Sequence, residues 1–537
     1  MARSTLVVMP TGCGKTIVFG HAARDWNQGR VMILAHREEL IFQAAQKVGA
    51  VCKEQCGIEM ADLQVIERTT SKTRVVVSSV QTLNSTRNGK RRMEKFDPME
   101  FGLLVIDEAH HSTAATYRRV VDWFGRNPDL KLLGVTATPD RADEEALGQI
   151  YDSVAFEYGI ADAVGDGWLV PIEQQFVHVE GLDLSQCKSD KHDLKDADVA
   201  RVMEQEAMLH KVVSPTIELA GDKPTLVFSA SVAHAHKMAE IFNRHKPNSA
   251  IAIDGTTDKE SRREELKRFS RGEFQYLCNC GVFLEGFDEP RIAVVAMARP
   301  TKSRALYAQA IGRGTRPLPG IVDGLESNEA RLAAIGLSDK PTMLTLDFVG
   351  NSGRHKLVCT ADILGGNESD EVVDLAAANA KEKSARGQKS NMTEELEEAK
   401  KQLEEAARER KRQEAAMAEK LAGIRAKARF SAKSVNPFDV FDRIPKREPG
   451  WHKGRKPTPK MIAALERFKV DDKTIDGLSF HQAGEMLGIL TARAAAGLCT
   501  LRQAKLIGKF GYPTDMSFTE AKQVIDKLAA NNWQRRD

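Results

Sequence analysis

No stretch of the 537 residues approaches the roughly 18 uninterrupted apolar positions that a membrane helix needs. Gly12 arrives before a signal-like apolar core could form, so the expectation is a soluble, cytoplasmic chain with no membrane partner. Cysteine is scattered as well. Cys13, Cys52, Cys56, Cys187, Cys278, Cys280, Cys359 and Cys499 make no paired CxxC set with zinc spacing, and they read as reduced thiols. Nor is there a dominant charge: 78 Lys and Arg face 75 Asp and Glu, a net charge of +3, so any nucleic-acid surface must be local. Apolar material is ample by contrast. The 42% hydrophobic content suffices for real cores, and the length allows three or four domains at ~150 residues each.

The chain is organised around PTGCGKT at residues 10–16, directly behind the apolar run 6–9 and ahead of Thr-Ile-Val-Phe. That pattern reads as strand, tight loop, helix. Gly12 and Gly14 let the backbone turn so that successive N–H groups face an anion, and the helix N-terminus adds its positive end. Lys15 supplies a point charge for β and γ phosphates, and Thr16 a hydroxyl for Mg²⁺. The general P-loop pattern wants glycine where Met9 stands, so the match is near rather than complete.

From residue 3 to about 160, short apolar runs (31–35, 74–77, 103–106, 131–135) alternate with amphipathic stretches such as 38–48 and 117–124. This is the layout of a parallel sheet whose working residues lie beyond the carboxyl ends of its strands. One strand end reads LLVIDEAH, residues 103–110. Asp107 is placed there to hold Mg²⁺ through its waters, and Glu108 to orient or deprotonate an attacking water. The P-loop, about 90 residues upstream, is expected on a neighbouring strand.

A second β/α unit runs over roughly 211–349, with strands at 224–228, 250–253, 276–280 and 292–298. It contains GVFLEGFDEP at 281–290 and QAIGRGTR at 309–316. Charge develops on the γ-phosphoryl oxygens during phosphoryl transfer, and a fixed guanidinium neutralises it at low reorganisation cost.

PTGCGKT, AHREEL (35–40), SSVQTL (78–83), DEAH (107–110) and TATP (136–139) occur in the order and spacing of superfamily 2 helicases. The chain resembles the DEAH-box branch that includes bacterial and phage DNA repair helicases and restriction-enzyme motor subunits, over roughly residues 3–365. The resemblance implies an α/β protein with two tandem RecA-like parallel-sheet domains. It implies an ATP- and Mg²⁺-dependent helicase or translocase acting on nucleic acid, DNA more than RNA. It assigns nucleotide binding to Thr11, Gly12, Cys13, Gly14, Lys15 and Thr16, joined by Gly286 and Asp288 of EGFD, and the metal to Thr16 and Asp107. Catalysis falls to Glu108, His110, Gln309, Arg313 and Arg316, with Arg316 as arginine finger and Arg313 as its γ-phosphate partner. Arg37, Ser79 and Thr82 would line the nucleic-acid groove, while Thr136 and Thr138 would couple nucleotide state to the neighbouring domain. Two other readings stay open: an ATP-controlled clamp or remodelling subunit without unwinding, and a scaffold unable to hold nucleotide. Helicases of this type carry a segment before the P-loop with a Gln that reads adenine, yet only nine residues precede Pro10. The expectation is that the sequence begins late, that its start is misplaced, or that adenine is held by stacking alone.

These signals set domains at 1–165 and 166–365. Residues 372–430 have helix composition, rich in Ala, Glu, Lys and Arg without Pro. Leu396, Leu403, Met417 and Ile424 keep a seven-residue spacing that Arg410 breaks, so a solvated, charged helical arm is preferred to a coiled coil. Residues 431–457 read as a basic, Pro-rich linker, with Trp451 among Lys446, Arg447, Lys453, Arg455 and Lys456. That aromatic suits either nucleic-acid tracking or anchoring the linker. In 458–537, TPKMIAALERFKV matches TLRQAKLIGKFGY, and LSFHQAGEML matches MSFTEAKQVI. The expectation is two small helix pairs with Ser479 and Ser517 as N-caps, forming a module for a protein partner or nucleic acid.

Overall fold

The computed structural model describes residues 3–65, 72–87, 89–137, 147–189, 193–281, 289–352, 355–366, 368–422, 437–441, 446–531 and 533. They form two compact units, Met1–Leu364 with Ala377–Glu395, and Gly365–Ala376 with Leu396–Asp537.

Among the described residues the first unit holds two large sheets and a two-stranded antiparallel ribbon, Thr86–Arg87 with Lys90–Arg91. One is 7-stranded, in the order β3-β4-β2-β5-β6-β1-β7. Its strands are β1 (Ser4–Val8), β2 (Arg30–Ala35), β3 (Gly57–Glu59), β4 (Val75–Ser79), β5 (Phe101–Asp107), β6 (Lys131–Thr136) and β7 (Ser153–Glu157). All neighbours pair in parallel. Strands β2, β4 and β5 are buried at every position, which is why their sequences are nearly unbroken apolar runs rather than alternating ones. The strand order corrects one expectation. The P-loop strand β1 and the DEAH strand β5 are not neighbours, because β6 lies between them and pairs with both. In register, Val8 faces Thr136 and Asp107 faces Val135, so the three strands end nearly level.

The second sheet is also 7-stranded, in the order β10-β11-β9-β12-β13-β8-β14. It comprises β8 (Ile172–Asp183), β9 (Thr225–Phe228), β10 (Ala250–Ile253), β11 (Tyr276–Asn279), β12 (Val294–Met297), β13 (Met343–Asn351) and β14 (Ser390–Asn391). The first six pair in parallel. The last is antiparallel to β8, with Gln174 facing Ser390.

That edge strand corrects the expected uniform arm at 372–430. The stretch is two helices, Asp370–Ala385 and Met392–Ala422, split by β14. Ala380, Ser384, Ser390, Met392 and Glu395 are buried, and Ser384 Oγ accepts from the Phe176 N–H at 3.1 Å. The arm composition conceals this because Ala packs as closely as it solvates, and the break is made by the short polar run Gly387-Gln-Lys-Ser390.

In the second unit, five helices follow one another: Pro459–Arg467, Asp472–Gly477, Phe480–Ala495, Leu501–Gly508 and Phe518–Ala530. Ser479 and Ser517 cap the third and fifth, each accepting from the N–H three residues on, with Gln482 and Glu520 completing capping boxes. The linker expectation for 431–457 is corrected in part. Phe438, Val440 and Phe441 enter the core with Leu465, Met486, Leu490 and Ile507, and Trp451 is 5% exposed. A buried indole is an anchor; it has no face left on which a base could stack.

Candidate active site

The loop after β1 takes the conformation its glycines permit, with φ of 97° at Gly12 and 83° at Gly14. Gly14 is the N-cap of the helix Lys15–Asp25 and supplies no side chain there, so no side chain caps the first-turn amides. Lys15 starts that helix, and its Nζ lies 3.4 Å from Glu108 Oε1. Burial pushes the Cys13 thiol up to about 12, against the pull of Lys15 and Arg316, so it stays protonated and inert.

Beyond β5 the backbone turns sharply. Glu108 has φ 51°, a left-handed conformation that costs a non-glycine residue ~1 kcal/mol or more, and it opens a short 3₁₀ turn over Ala109–Thr113. The turn carries the Glu108 carboxylate toward Lys15, while its other oxygen lies 3.5 Å from His110 Nδ1. The same His110 nitrogen is 3.1 Å from Thr136 Oγ1 at the end of β6. The intervening strand therefore joins the site instead of separating its halves. Asp107 is buried, and burial followed by the Glu108 carboxylate raises its pKa above the ordinary carboxylate range, with Lys15 opposing.

The second domain reaches the same loop. The helix Arg304–Ile311 is capped by Ser303 and buries Gln309, and Arg313 follows, 7% exposed. A Cβ built on Gly12 would stand 3.1 Å from Arg316 Nε, and one on Gly312 would stand 3.2 Å from Thr11 Cβ. A side chain at either glycine would crowd this approach of domain two to the P-loop, and at Gly12 the φ of 97° adds strain. Burial lowers the Arg316 pKa from its ordinary value.

The expected groove hydroxyls are already engaged. Ser79 Oγ accepts from the Thr82 N–H at 3.3 Å and donates to Gln81 Oε1 at 2.8 Å. Thr82 Oγ1 accepts from the Ala61 N–H at 3.1 Å. Arg37 stands at the N-cap of the helix Glu38–Cys52. Thr138, Gly286 and Asp288 lie outside the described residues.

Sequence reasoning passed over several participants. His36 and His111 stand with ring centroids 4.7 Å apart, and His111 lies 4.1 Å from His110, so the doubled histidine after DEA links the AHREEL and DEAH segments. Tyr158, whose N–H bonds Val8 O at 2.9 Å, donates to Asp166 Oδ2 at 2.6 Å. Asp166 in turn accepts from Asn328 Nδ2 at 2.7 Å. Lys340 donates to the main-chain carbonyls of Pro290 and Arg316, both at 2.7 Å. His36 sits within AHREEL and His111 directly behind DEAH, but Tyr158, Asp166, Asn328 and Lys340 sit in no motif, and of these only Asp166, in the turn signal Asp166-Gly167, offered a hint.

Residues 2–141 match the family model "Type III restriction enzyme, res subunit", and residues 205–317 match "Helicase conserved C-terminal domain". These are superfamily 2 helicase domains. The P-loop and this fold imply an ATP hydrolase. The chain is 32% identical over 335 residues to the provisionally named ATP-dependent helicase IRC3 of Saccharomyces cerevisiae, covering 58% of this chain and 46% of that one. It is 30% identical over 325 residues to the similarly named mitochondrial helicase irc3 of Schizosaccharomyces pombe, covering 58% and 52%. It thus spans about half the length of these two relatives. The helicase domains also align with the fragment structure of a type I restriction enzyme HsdR subunit, so assigned, from Vibrio vulnificus. That alignment has a TM-score of 0.46 and 19% identity, covering 65% of this chain and 60% of that one. No helix among the described residues is long and apolar enough to cross a membrane.

Proposed function

We propose that the chain is an ATP-dependent helicase or translocase that moves along DNA in the cytoplasm, closing its two sheet domains on ATP and opening them after hydrolysis. The observation that carries this reading is the convergence on one loop of Lys15, Glu108, His110 and Thr136 from the first domain with Arg316 from the second. DNA is preferred because the first domain matches a restriction-enzyme subunit model and EGFDEP resembles the DNA-acting branch.

Thr11, Cys13 and the loop amides, Gly12 to Thr16, would cradle the phosphates, and Lys15 would neutralise them. The donor set fits Mg²⁺: a hydroxyl at Thr16 and a buried carboxylate at Asp107 suit a hard cation that keeps several waters and shares phosphate oxygens. The bound metal would neutralise charge growing on the phosphate oxygens. Lys15 is paired with Glu108 in the structure, so phosphate oxygens arriving at Lys15 compete with that carboxylate. Glu108, released, is then steered by His110 and orients the attacking water, while Arg313 and Arg316 meet the γ-phosphoryl charge and Gln309 supports them. By the helicase resemblance, Gly286 and Asp288 would join the nucleotide contacts, and Arg37, Ser79 and Thr82 would guide the strand. Thr136, bonded to His110, passes the state of Glu108 to β6, with Thr138 beyond it.

The tail is read as two helix-pair repeats, Thr458 with Ser479 and Thr500 with Ser517 capping corresponding helices, which dock DNA or a protein partner. ATP turnover with and without single-stranded DNA or RNA, using Glu108→Gln as the blank, tests the core reading. Stimulation by DNA supports it, stimulation by RNA alone overturns the substrate, and no turnover with either overturns the enzyme. Turnover with DNA but no displacement of a paired strand and no travel along a single one would favour the clamp.

A further inference from the structure

Lys340 lies outside every motif, in the turn between the helix Asn328–Gly336 and β13, yet it is only 3% exposed. A buried ammonium needs acceptors for its protons, and this one finds two main-chain carbonyls, Pro290 O and Arg316 O, each at 2.7 Å. Pro290 closes the GVFLEGFDEP segment and Arg316 closes QAIGRGTR. Lys340 therefore clasps the ends of two segments that are 26 residues apart in number and that both serve the nucleotide in the reading above. Its own main chain is fixed, because Ser338 Oγ accepts from the Lys340 N–H at 3.2 Å while donating to Ile335 O at 2.8 Å. Glu289, one residue before Pro290, is the carboxylate acting on it, and Glu289 is itself held by Ser270 and by the Arg291 N–H at 3.1 Å.

We infer that Lys340 is a positioning residue for the arginine finger: by holding the Arg316 carbonyl it sets where the Arg316 guanidinium stands against the P-loop. The inference rests on the assignment of Arg316 as that finger. One residue earlier, the Thr315 carbonyl accepts from the Val170 N–H at 2.8 Å, so the turn is pinned at both residues. A guanidinium on a turn pinned only at Thr315 would still reach the loop but with a wider spread of positions, and small misplacements of a group that acts in the transition state reduce kcat.

The test is a double-mutant cycle on the full chain, measuring DNA-stimulated ATP turnover and the affinities for Mg·ADP and for Mg·ADP·aluminium fluoride. Lys340→Met is expected to lower kcat by roughly 10- to 100-fold, with KM for ATP nearly unchanged. It should weaken binding of the aluminium fluoride complex but not of ADP. Arg316→Ala with Lys340→Met should be no slower than Arg316→Ala alone, because the clasp has nothing left to position. Lys340→Arg, which restores donors and charge, should recover part of the loss. Full turnover in Lys340→Met, or a double variant slowed by the product of the single losses, overturns the inference. If Lys340→Met does not fold, Lys340→Gln takes its place in the cycle. Failure of both to fold also overturns it, since the residue would then hold the domain and not the finger. Unchanged turnover in Arg316→Ala would instead remove the finger assignment beneath it.

Discussion

At the carboxyl edge of the first sheet the candidate catalytic side chains touch one another, whereas in the second sheet's domain Arg316 is steadied from behind, at the edge where β8, β12 and β13 begin. Lys15, Glu108, His110 and Thr136 form a chain of direct polar contacts. Arg316 is held instead through its carbonyl by Lys340, and the helix before it through Tyr307, whose hydroxyl donates to Asp347 Oδ2 at 2.8 Å. The two supports are driven toward neutrality from opposite sides. Burial pushes Asp347 up to about 7, against Tyr307 and Gln174, and pushes Lys340 down to about 7, against Glu289. On the function proposed above, the first sheet would arrange charge for chemistry, and the second would suppress charge to fix geometry.

The largest effects should separate the sheets by kinetic parameter. Arg316→Ala is expected to cut kcat by ~10³- to 10⁵-fold with nucleotide affinity nearly intact, since a finger acts on transition-state charge. Lys15→Ala should abolish turnover through lost nucleotide binding, while fold and single-strand binding persist. Equilibrium binding of ADP beside steady-state turnover checks both, and a loss of ADP affinity in Arg316→Ala would erase the contrast.

Glu108→Gln should lower kcat by ~10²- to 10⁴-fold, the usual worth of a positioned acid–base group. Because it also removes the charge that pairs with Lys15 at 3.4 Å, nucleotide binding should hold or tighten. Weaker binding would mean that the ion pair prepares the loop for phosphate and does not compete with it.

On the second sheet the buried acid sets a pH signature. Asp347 has a folded pKa of about 7, above the ordinary 3.8, so its contribution to stability is fully present below about pH 4 and is lost as pH rises through 7. Asp347→Asn does not titrate. Between pH 5 and 8 the wild-type chain should therefore lose about 2–3 kcal/mol relative to the variant, read as a thermal midpoint that falls relative to Asp347→Asn by a few degrees. A gap that does not change with pH would show that Tyr307 and Gln174 keep the carboxylate ionised.

This division also explains what could be read before the fold was known. The strand ends of the first sheet announce themselves, because Gly12, Gly14, Lys15 and Asp107-Glu108 each follow an apolar run and each carry chemistry only a few residue types can supply. The order of those strands did not, since periodicity says nothing about which strand lies beside which; hence β6 and the Thr136–His110 contact came as a correction. The supports were illegible for a related reason. Lys340 acts through backbone carbonyls, which leave no residue pattern, and Asp347 sits inside an apolar strand where its partners are 40 and 173 residues away in number. The edge strand Ser390–Asn391 was hidden by an arm composition that fits a helix, and the buried Trp451 by the basic residues around it.

The smallest expected effect concerns the second unit, where structure is carried by caps rather than by chemistry. Ser517 accepts from the Glu520 N–H at 3.3 Å and Glu520 returns the bond to the Ser517 N–H at 2.9 Å, so two otherwise unsatisfied amides at the start of Phe518–Ala530 depend on one pair of residues. Ser517→Ala should cost ~1 kcal/mol locally. Hydrogen exchange at the first-turn amides of that helix would show it as a roughly fivefold loss of protection, given that 1.4 kcal/mol is tenfold. ATP turnover without nucleic acid should not change, because Ser517 touches nothing that binds nucleotide. Should turnover fall with protection, the cap would be part of the motor, and the proposed contrast between a unit that does chemistry and a unit that only docks would have to be given up.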